Sequence, residues 1–178
     1  MTEEIKIAGF GGQGVLSMGQ VLCYAGVLEN KEVSWMPSYG PEMRGGTANC
    51  ITIISDLKIS SPIINKYDSL IVLNQPSLDK FEVEVKPGGL LIYEASTILN
   101  LPKRTDIEIV PIEAANEANK LKNGRVMNMI ILGSFLQKKP IIKFENILEG
   151  LKKVLPERYH HLIPLNKQAL EIGMKLAI

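Results

Sequence analysis

The chain has 178 residues, 20 of them Lys or Arg and 19 Asp or Glu, so it is nearly neutral and lacks the basic stripe expected of a nucleic-acid surface. That length suits a single domain, residues 1–178, able to bury about two thirds of its unfolded surface. No apolar run reaches the ~18 residues of a membrane span, and Met1-Thr2-Glu3-Glu4 lacks the apolar core of a signal peptide, so a cytoplasmic protein with no membrane contact is expected.

In chain order, apolar periodicity predicts a strand at Ile5–Gly9, a helix at Gln13–Glu29 and a strand at Glu32–Trp35. Strands follow at Asn49–Ser55 and Leu70–Asn74, then a helix at Leu78–Glu84 and a strand at Leu90–Tyr93 after the turn Pro87-Gly88-Gly89. The last strand is Ile107–Ile112, followed by helices at Glu113–Leu121, Val126–Leu136, Phe144–Leu155 and Leu165–Ala177. Short apolar strands alternating with helices predict an α/β fold: three α/β/α layers around a mostly parallel, doubly wound sheet covered on both faces. Asn49–Ser55 is the expected antiparallel member, because no helix separates it from the strand before it. In the first helix Val15, Met18, Leu22 and Ala25 mark a buried face; Ser17, Gln20 and Tyr24 form a polar face open to solvent or to a partner. Phe144, Ile147, Leu148, Leu151 and Leu155 form an ordinary amphipathic stripe.

Two glycine-rich segments interrupt this pattern. The first, Gly9-Phe10-Gly11-Gly12-Gln13-Gly14, joins a strand to a helix, where unpaired N–H groups can meet an anion or a partner's polar group. Its Gly9-x-Gly11-x-x-Gly14 spacing also fits the dinucleotide fingerprint, which further calls for an acid about 20 residues on to hold a ribose. Here the second strand ends in Trp35, Met36 and Pro37, with no acid there. A turn that only packs its helix against the strand is the plain structural alternative.

The second segment is Ser38-Tyr39-Gly40-Pro41-Glu42-Met43-Arg44-Gly45-Gly46. Tyr39-Gly40-Pro41 sets a turn, Gly45-Gly46 permits positive φ, and Glu42 and Arg44 carry opposite charges between them. An Arg so placed can grip a carboxylate or phosphate with two prongs, pair across an interface, or merely tie down its own loop. Tyr39 has the mixed character of an interface anchor.

Together the two segments resemble the gamma subunit of 2-oxoacid:ferredoxin oxidoreductases. In that family GxGGQG follows the first strand and (S/T)-Y-G-P-E-x-R-G-G follows the second; Gly9 to Gly14 and Ser38 to Gly46 stand in those places. Ser60-Ser61-Pro62 and Asn128-Met129-Ile130 extend the resemblance along the chain, and Ser-Tyr-Gly-Pro-Glu resembles the 2-oxoglutarate type. The resemblance implies a complex that oxidatively decarboxylates a 2-oxoacid to acyl-CoA and reduces ferredoxin, built with alpha and beta chains and, where present, a delta chain. It implies that the cofactor-binding or interface residues are Gly9, Gly11, Gly12, Gln13, Gly14, Ser38, Tyr39, Gly40, Glu42, Arg44, Gly45 and Gly46, and it leaves a contact with coenzyme A open. Both segments are expected to converge at the C-terminal edge of the sheet, on strands that are parallel neighbours.

The residues themselves exclude much of that chemistry from this chain. Cys23 and Cys50 are too few for an iron–sulfur cluster, which takes about four cysteines, and read as small buried hydrophobes. No Gly-Asp-Gly occurs to hold thiamine diphosphate and its magnesium. His160 and His161 point in different directions and fit a surface turn rather than a metal site or catalytic triad. Thiamine diphosphate, Mg and the clusters are therefore expected on partner subunits, with no catalytic residue and no metal here. The alternatives are a free-standing nucleotide-binding oxidoreductase and a non-catalytic scaffold.

Overall fold

The computed structural model describes residues 1–38 and 47–178. Its strands are β1 (Thr2–Phe10), β2 (Glu32–Ser38), β3 (Thr47–Ser55), β4 (Tyr67–Val72), β5 (Val85–Glu94) and β6 (Glu108–Ile112). They form one sheet in the order β2-β3-β1-β4-β5-β6. The α-helices are α1 (Val15–Leu28), α2 (Gln75–Phe81), α3 (Ala114–Lys120), α4 (Met127–Lys138), α5 (Phe144–Val154) and α6 (Ile163–Leu176).

β1, β4, β5 and β6 pair in parallel, while β3 pairs antiparallel with both β1 and β2. Two reversals return β2 to the direction of β1. The mostly parallel sheet with one opposed strand therefore has β3 where the sequence reading put it. One expectation fails: β1 and β2 are not neighbours, because β3 lies between them. Their carboxyl ends still share one edge, since Phe10 pairs with Thr47 and Ser38 with Asn49 at the start of β3.

Alternation along each strand sorts the side chains into two faces. Ile5, Ile7, Cys50, Ile54, Ile71, Leu90, Ile92 and Val110 join the larger core with α1, α4, α5 and α6. The other face is closed more thinly. Leu70, Val72, Leu91 and Tyr93 pack beneath Leu78 and Phe81 of α2 and Ile98 of the following loop, while Ile51, Ile53 and Tyr67 pack with Met36, Ile59 and Ile64.

Two boundaries differ from the sequence reading for identifiable reasons. Asn74 ends no strand: its Oδ1 accepts from Ser77 N at 2.9 Å and Pro76 occupies the first turn, so α2 starts early, as cap and proline favour. Pro87-Gly88-Gly89 lies within β5 rather than before it. The register jumps from Tyr67↔Val85 to Ser69↔Leu90, and Gly88 at φ +73° absorbs the irregularity while its N–H reaches Asp106 O at 2.7 Å.

The helical layer is centred on α4, buried from Asn128 through Leu136, with α6 across it. Glycines make the crossing possible. A Cβ on Gly133 would strike the Leu170 carbonyl, and one on Gly173 the Ile130 carbonyl, so the backbones meet with nothing between them. Ser134 Oγ adds a hydrogen bond to Gly173 O at 3.0 Å. At the other end Glu29 Oε1 accepts from Lys143 N (2.6 Å) and Asn146 Nδ2 (2.9 Å), fastening the end of α1 to the start of α5. The predicted stripe on α5 turns Ile147 and Leu151 inward.

Candidate functional site: the glycine edge of the sheet

β1 delivers the chain to the carboxyl edge of the sheet, where Phe10, Gly11 and Gly12 are exposed. Gly12 has φ +91° and nothing within 4 Å of a would-be Cβ. Gly14, at φ 77° and ψ 19°, is the N-cap of α1 and supplies no side-chain cap. The left-handed backbone needed at both positions is easy for glycine and strained for other residues.

Gln13 locks this turn. Its Oε1 accepts from Phe10 N–H at 2.6 Å and its Nε2 donates to Leu73 O at 3.2 Å; its own N–H donates to Phe10 O at 3.2 Å. The side chain thus bridges the ends of β1 and β4, adjacent parallel strands whose onward connections leave in opposite directions. In doubly wound sheets that is the crevice where a nucleotide would sit, and here an amide of the chain itself fills it. Gly9 leaves space for the bridge, since a Cβ there would lie 2.7 Å from Gln13 Oε1 and 3.0 Å from Leu73 Cβ. Gly14 is packed as well: a Cβ would strike Nδ2 of Asn128, in the first turn of α4. Gly9 and Gly14 are thus closely packed, whereas Gly12 is open.

Among the expected site residues the structure brings Gly9, Gly11, Gly12, Gln13 and Gly14 into this turn. Ser38 stands exposed at the end of β2 on the same edge, one strand removed. Tyr39, Gly40, Glu42, Arg44, Gly45 and Gly46 lie outside the described residues. Sequence reasoning missed the contacts that hold the edge. Glu94, fully buried at the end of β5, accepts from the N–H groups of Ser96 (3.1 Å), Thr97 (2.8 Å) and Ala115 (3.0 Å). This acid caps α3 rather than facing a ligand. An acid at a strand end followed by Ala-Ser-Thr was the available signal.

The predicted buried face of α1 holds, while on the predicted polar face Tyr24 is exposed and Ser17 and Gln20 are partly buried. Val15, Met18, Leu22 and Ala25 are buried, whereas Tyr24, Val27 and Leu28 are about half exposed on a helix without a single charged residue. The thiols are buried: desolvation raises Cys23 to about 12 and Cys50 to about 11, and Cys50 Sγ points at Val15 O, 3.7 Å away. Such thiols are poor metal ligands and poor nucleophiles, and among the described residues no three His, Cys, Asp or Glu side chains gather as a metal site. His160 Nε2 lies 3.0 Å from Lys152 O and 2.9 Å from Leu155 O, holding the end of α5. Lys6, 6% exposed, has Nζ 4.6 Å from the Phe81 ring centre and 5.5 Å from that of Tyr67; burial lowers its pKa. No helix among the described residues is long and apolar enough to cross a membrane.

Comparison with known proteins identifies the family to which this fold belongs. The family model described as pyruvate ferredoxin/flavodoxin oxidoreductase matches residues 4–176. The chain is 37% identical to ketoisovalerate oxidoreductase subunit VorA of Methanothermobacter thermautotrophicus, over 98% of this chain and 36% of that one. It is 32% identical to 2-oxoglutarate synthase subunit KorC of Methanocaldococcus jannaschii, over 88% and 86% of the two chains. It therefore spans roughly a third of the length of the VorA relatives that it matches. Among solved structures, the gamma subunit of a keto/oxoacid ferredoxin oxidoreductase from Geobacter sulfurreducens superposes with a TM-score of 0.84 at 27% identity, covering 98% of each chain. The match over residues 4–176 and the end-to-end likeness to a gamma subunit place the chain in the pyruvate ferredoxin/flavodoxin oxidoreductase family, as a gamma-subunit domain.

Proposed function

We propose that the chain is the gamma component of a complex that oxidatively decarboxylates a 2-oxoacid, passes two electrons to ferredoxin and hands the acyl group to coenzyme A. The family match over nearly the whole chain carries this reading. The residues of this chain do not fit thiamine diphosphate, magnesium or an iron–sulfur cluster, so those groups are assigned to alpha, beta and delta partners. The exposed Gly11–Gly12 backbone and Ser38 form a face turned toward those partners and toward coenzyme A. The uncharged, half-exposed face of α1 supports a second contact. A free-standing dinucleotide enzyme is disfavoured because Gln13 fills the crevice and no acid ends β2.

The substrate is read as 2-oxoglutarate, supported by the Ser38–Gly46 segment and by the KorC relative matched over most of both chains. One observation favours a branched-chain 2-oxoacid instead: identity is higher to the VorA relatives, at 37% and 43%. Co-expression with the partner chains tests both. Coenzyme-A-dependent ferredoxin reduction is expected with this chain and lost without it, with kcat/KM ranked over 2-oxoglutarate, 3-methyl-2-oxobutanoate and pyruvate. Turnover by this chain alone, or an unchanged rate in its absence, overturns the assignment. Within that assay Arg44→Ala is expected to lower the rate while leaving the melting temperature of the free chain unchanged; a lower melting temperature with a normal rate makes Arg44 a structural tie.

A further inference from the structure

The sheet has two edge strands, and they are finished differently. β6 is five residues long, carries Pro111 within it and starts at Glu108, whose Oε1 lies 3.1 Å from Lys138 Nζ. Short length, a proline and charge are the usual guards of an edge whose backbone groups would otherwise recruit another strand. β2 has seven residues, with its one charge, Glu32, at the start and Pro37 near the end, so Val33-Ser34-Trp35-Met36 is unguarded. Among the described residues only β3 pairs with it.

The same margin is apolar on its α1 side. Gln20, Cys23, Tyr24 and Val27 of α1 and Val33 and Trp35 of β2 line a groove of about 300 Å³. Tyr24 and Val27 are about half exposed, and α1 has no charged residue. An open strand edge is completed by another strand, through main-chain hydrogen bonds. The groove beside it is completed by uncharged side chains.

A second copy of this chain supplies both with one operation. Two β2 strands can pair antiparallel about a twofold axis normal to the sheet, the arrangement in which a strand meets itself. An axis at Trp35, the midpoint of Glu32–Ser38, matches the whole strand and sets each Glu32 opposite a Ser38. The two Glu32 residues then stand about 20 Å apart at ~3.3 Å per residue, well beyond the ~8 Å screening length of physiological salt. The same axis puts both α1 helices on one face of the joined sheet, with their Tyr24 and Val27 sides toward each other and no charge on either to repel. We propose that the chain associates with itself through this margin, as a twofold dimer whose sheet runs through both copies. The inference rests on this chain alone and not on the proposed function.

The test follows sedimentation of the chain from ~1 to ~500 μM, where a monomer–dimer equilibrium with Kd below about 50 μM is expected. Outward-pointing amides within Val33–Met36 are expected to gain protection from hydrogen exchange as concentration rises. Val27→Lys, an exposed change that sets two like charges face to face, is expected to weaken the dimer about tenfold or more with an unchanged melting temperature. Leu99→Lys, at an aliphatic residue 85% exposed after β5, is expected to leave it intact. A monomer at ~500 μM, or a dimer indifferent to Val27→Lys, overturns the proposal. Protection of Val33–Met36 that appears only when other subunits are added assigns the margin to a different chain and overturns it equally.

Discussion

The glycine turn after β1 and the crossing of α4 with α6 are both built on glycine, and for opposite reasons. At the crossing, Gly133 and Gly173 are pressed against backbone carbonyls of the facing helix, and main chain cannot step aside as a side chain can. In the turn, Gly12 has empty space around it and a backbone angle that asks for glycine. Gly14 stands between these cases, with the angle of the turn and a neighbour, Asn128, that is a movable side chain. Spacing does not distinguish a glycine kept for space from one kept for conformation. The identity of the atom it would strike does.

The comparison predicts a graded series. Gly173→Ala is expected to cost most, about 3 kcal/mol or more by denaturant titration, because a Cβ must force two helix backbones apart. Adding Gly133→Ala is expected to cost less than a second full increment, since the pair shares one contact. If Gly173→Ala loses under ~1 kcal/mol, the crossing is more yielding than its geometry implies.

Gly14→Ala comes next, at about 2 kcal/mol, combining left-handed strain of ~1–2 kcal/mol with displacement of Asn128. Asn128→Ala in the same chain is expected to restore the displacement part alone. Failure of that rescue would mean that the backbone angle explains Gly14 entirely. Gly12→Ala, with strain and no clash, is expected to cost about 1 kcal/mol.

Thiol reactivity separates local from global loosening and is the smallest signal. Burial holds Cys23 up at about 12 and Cys50 at about 11, so at pH 8 the folded chain presents almost no thiolate; unfolding returns both to about 8.5. Alkylation by iodoacetamide is therefore expected to be slow in the native chain and unchanged in Gly12→Ala. It should rise in Gly173→Ala in proportion to the unfolded population. A faster rate in Gly12→Ala would show that the turn and the core beneath it open together.

The series also marks how far the sequence was legible. All six strands were readable because runs such as Leu90–Tyr93 are short, apolar and flanked by turn formers, and β3 was recognisable as the opposed strand from the missing helix before it. Strand order was not. Nothing local says that β3 inserts between β1 and β2, since that depends on pairing partners far along the chain. Asn74 was taken into a strand because its capping bond to Ser77 N leaves no mark on hydropathy. The Gln13 bridge to Leu73, 60 residues away, and the contact of Asn128 with Gly14 were equally hidden. The first motif was found through its glycines, whereas its fixing residue is the glutamine among them. The second motif, apart from Ser38, lies outside the described residues.

The Gln13 bridge bears on the thermodynamics of assembly. A surface loop that must become ordered on docking charges that ordering against affinity, about 0.5–1.5 kcal/mol for each mobile side chain immobilised. Here Gln13 ties Phe10 and Leu73 together within the free chain, so the Gly11–Gly12 turn is already held without any partner. On the proposed function, Gln13 strengthens partner binding by settling the entropy of its neighbours in advance.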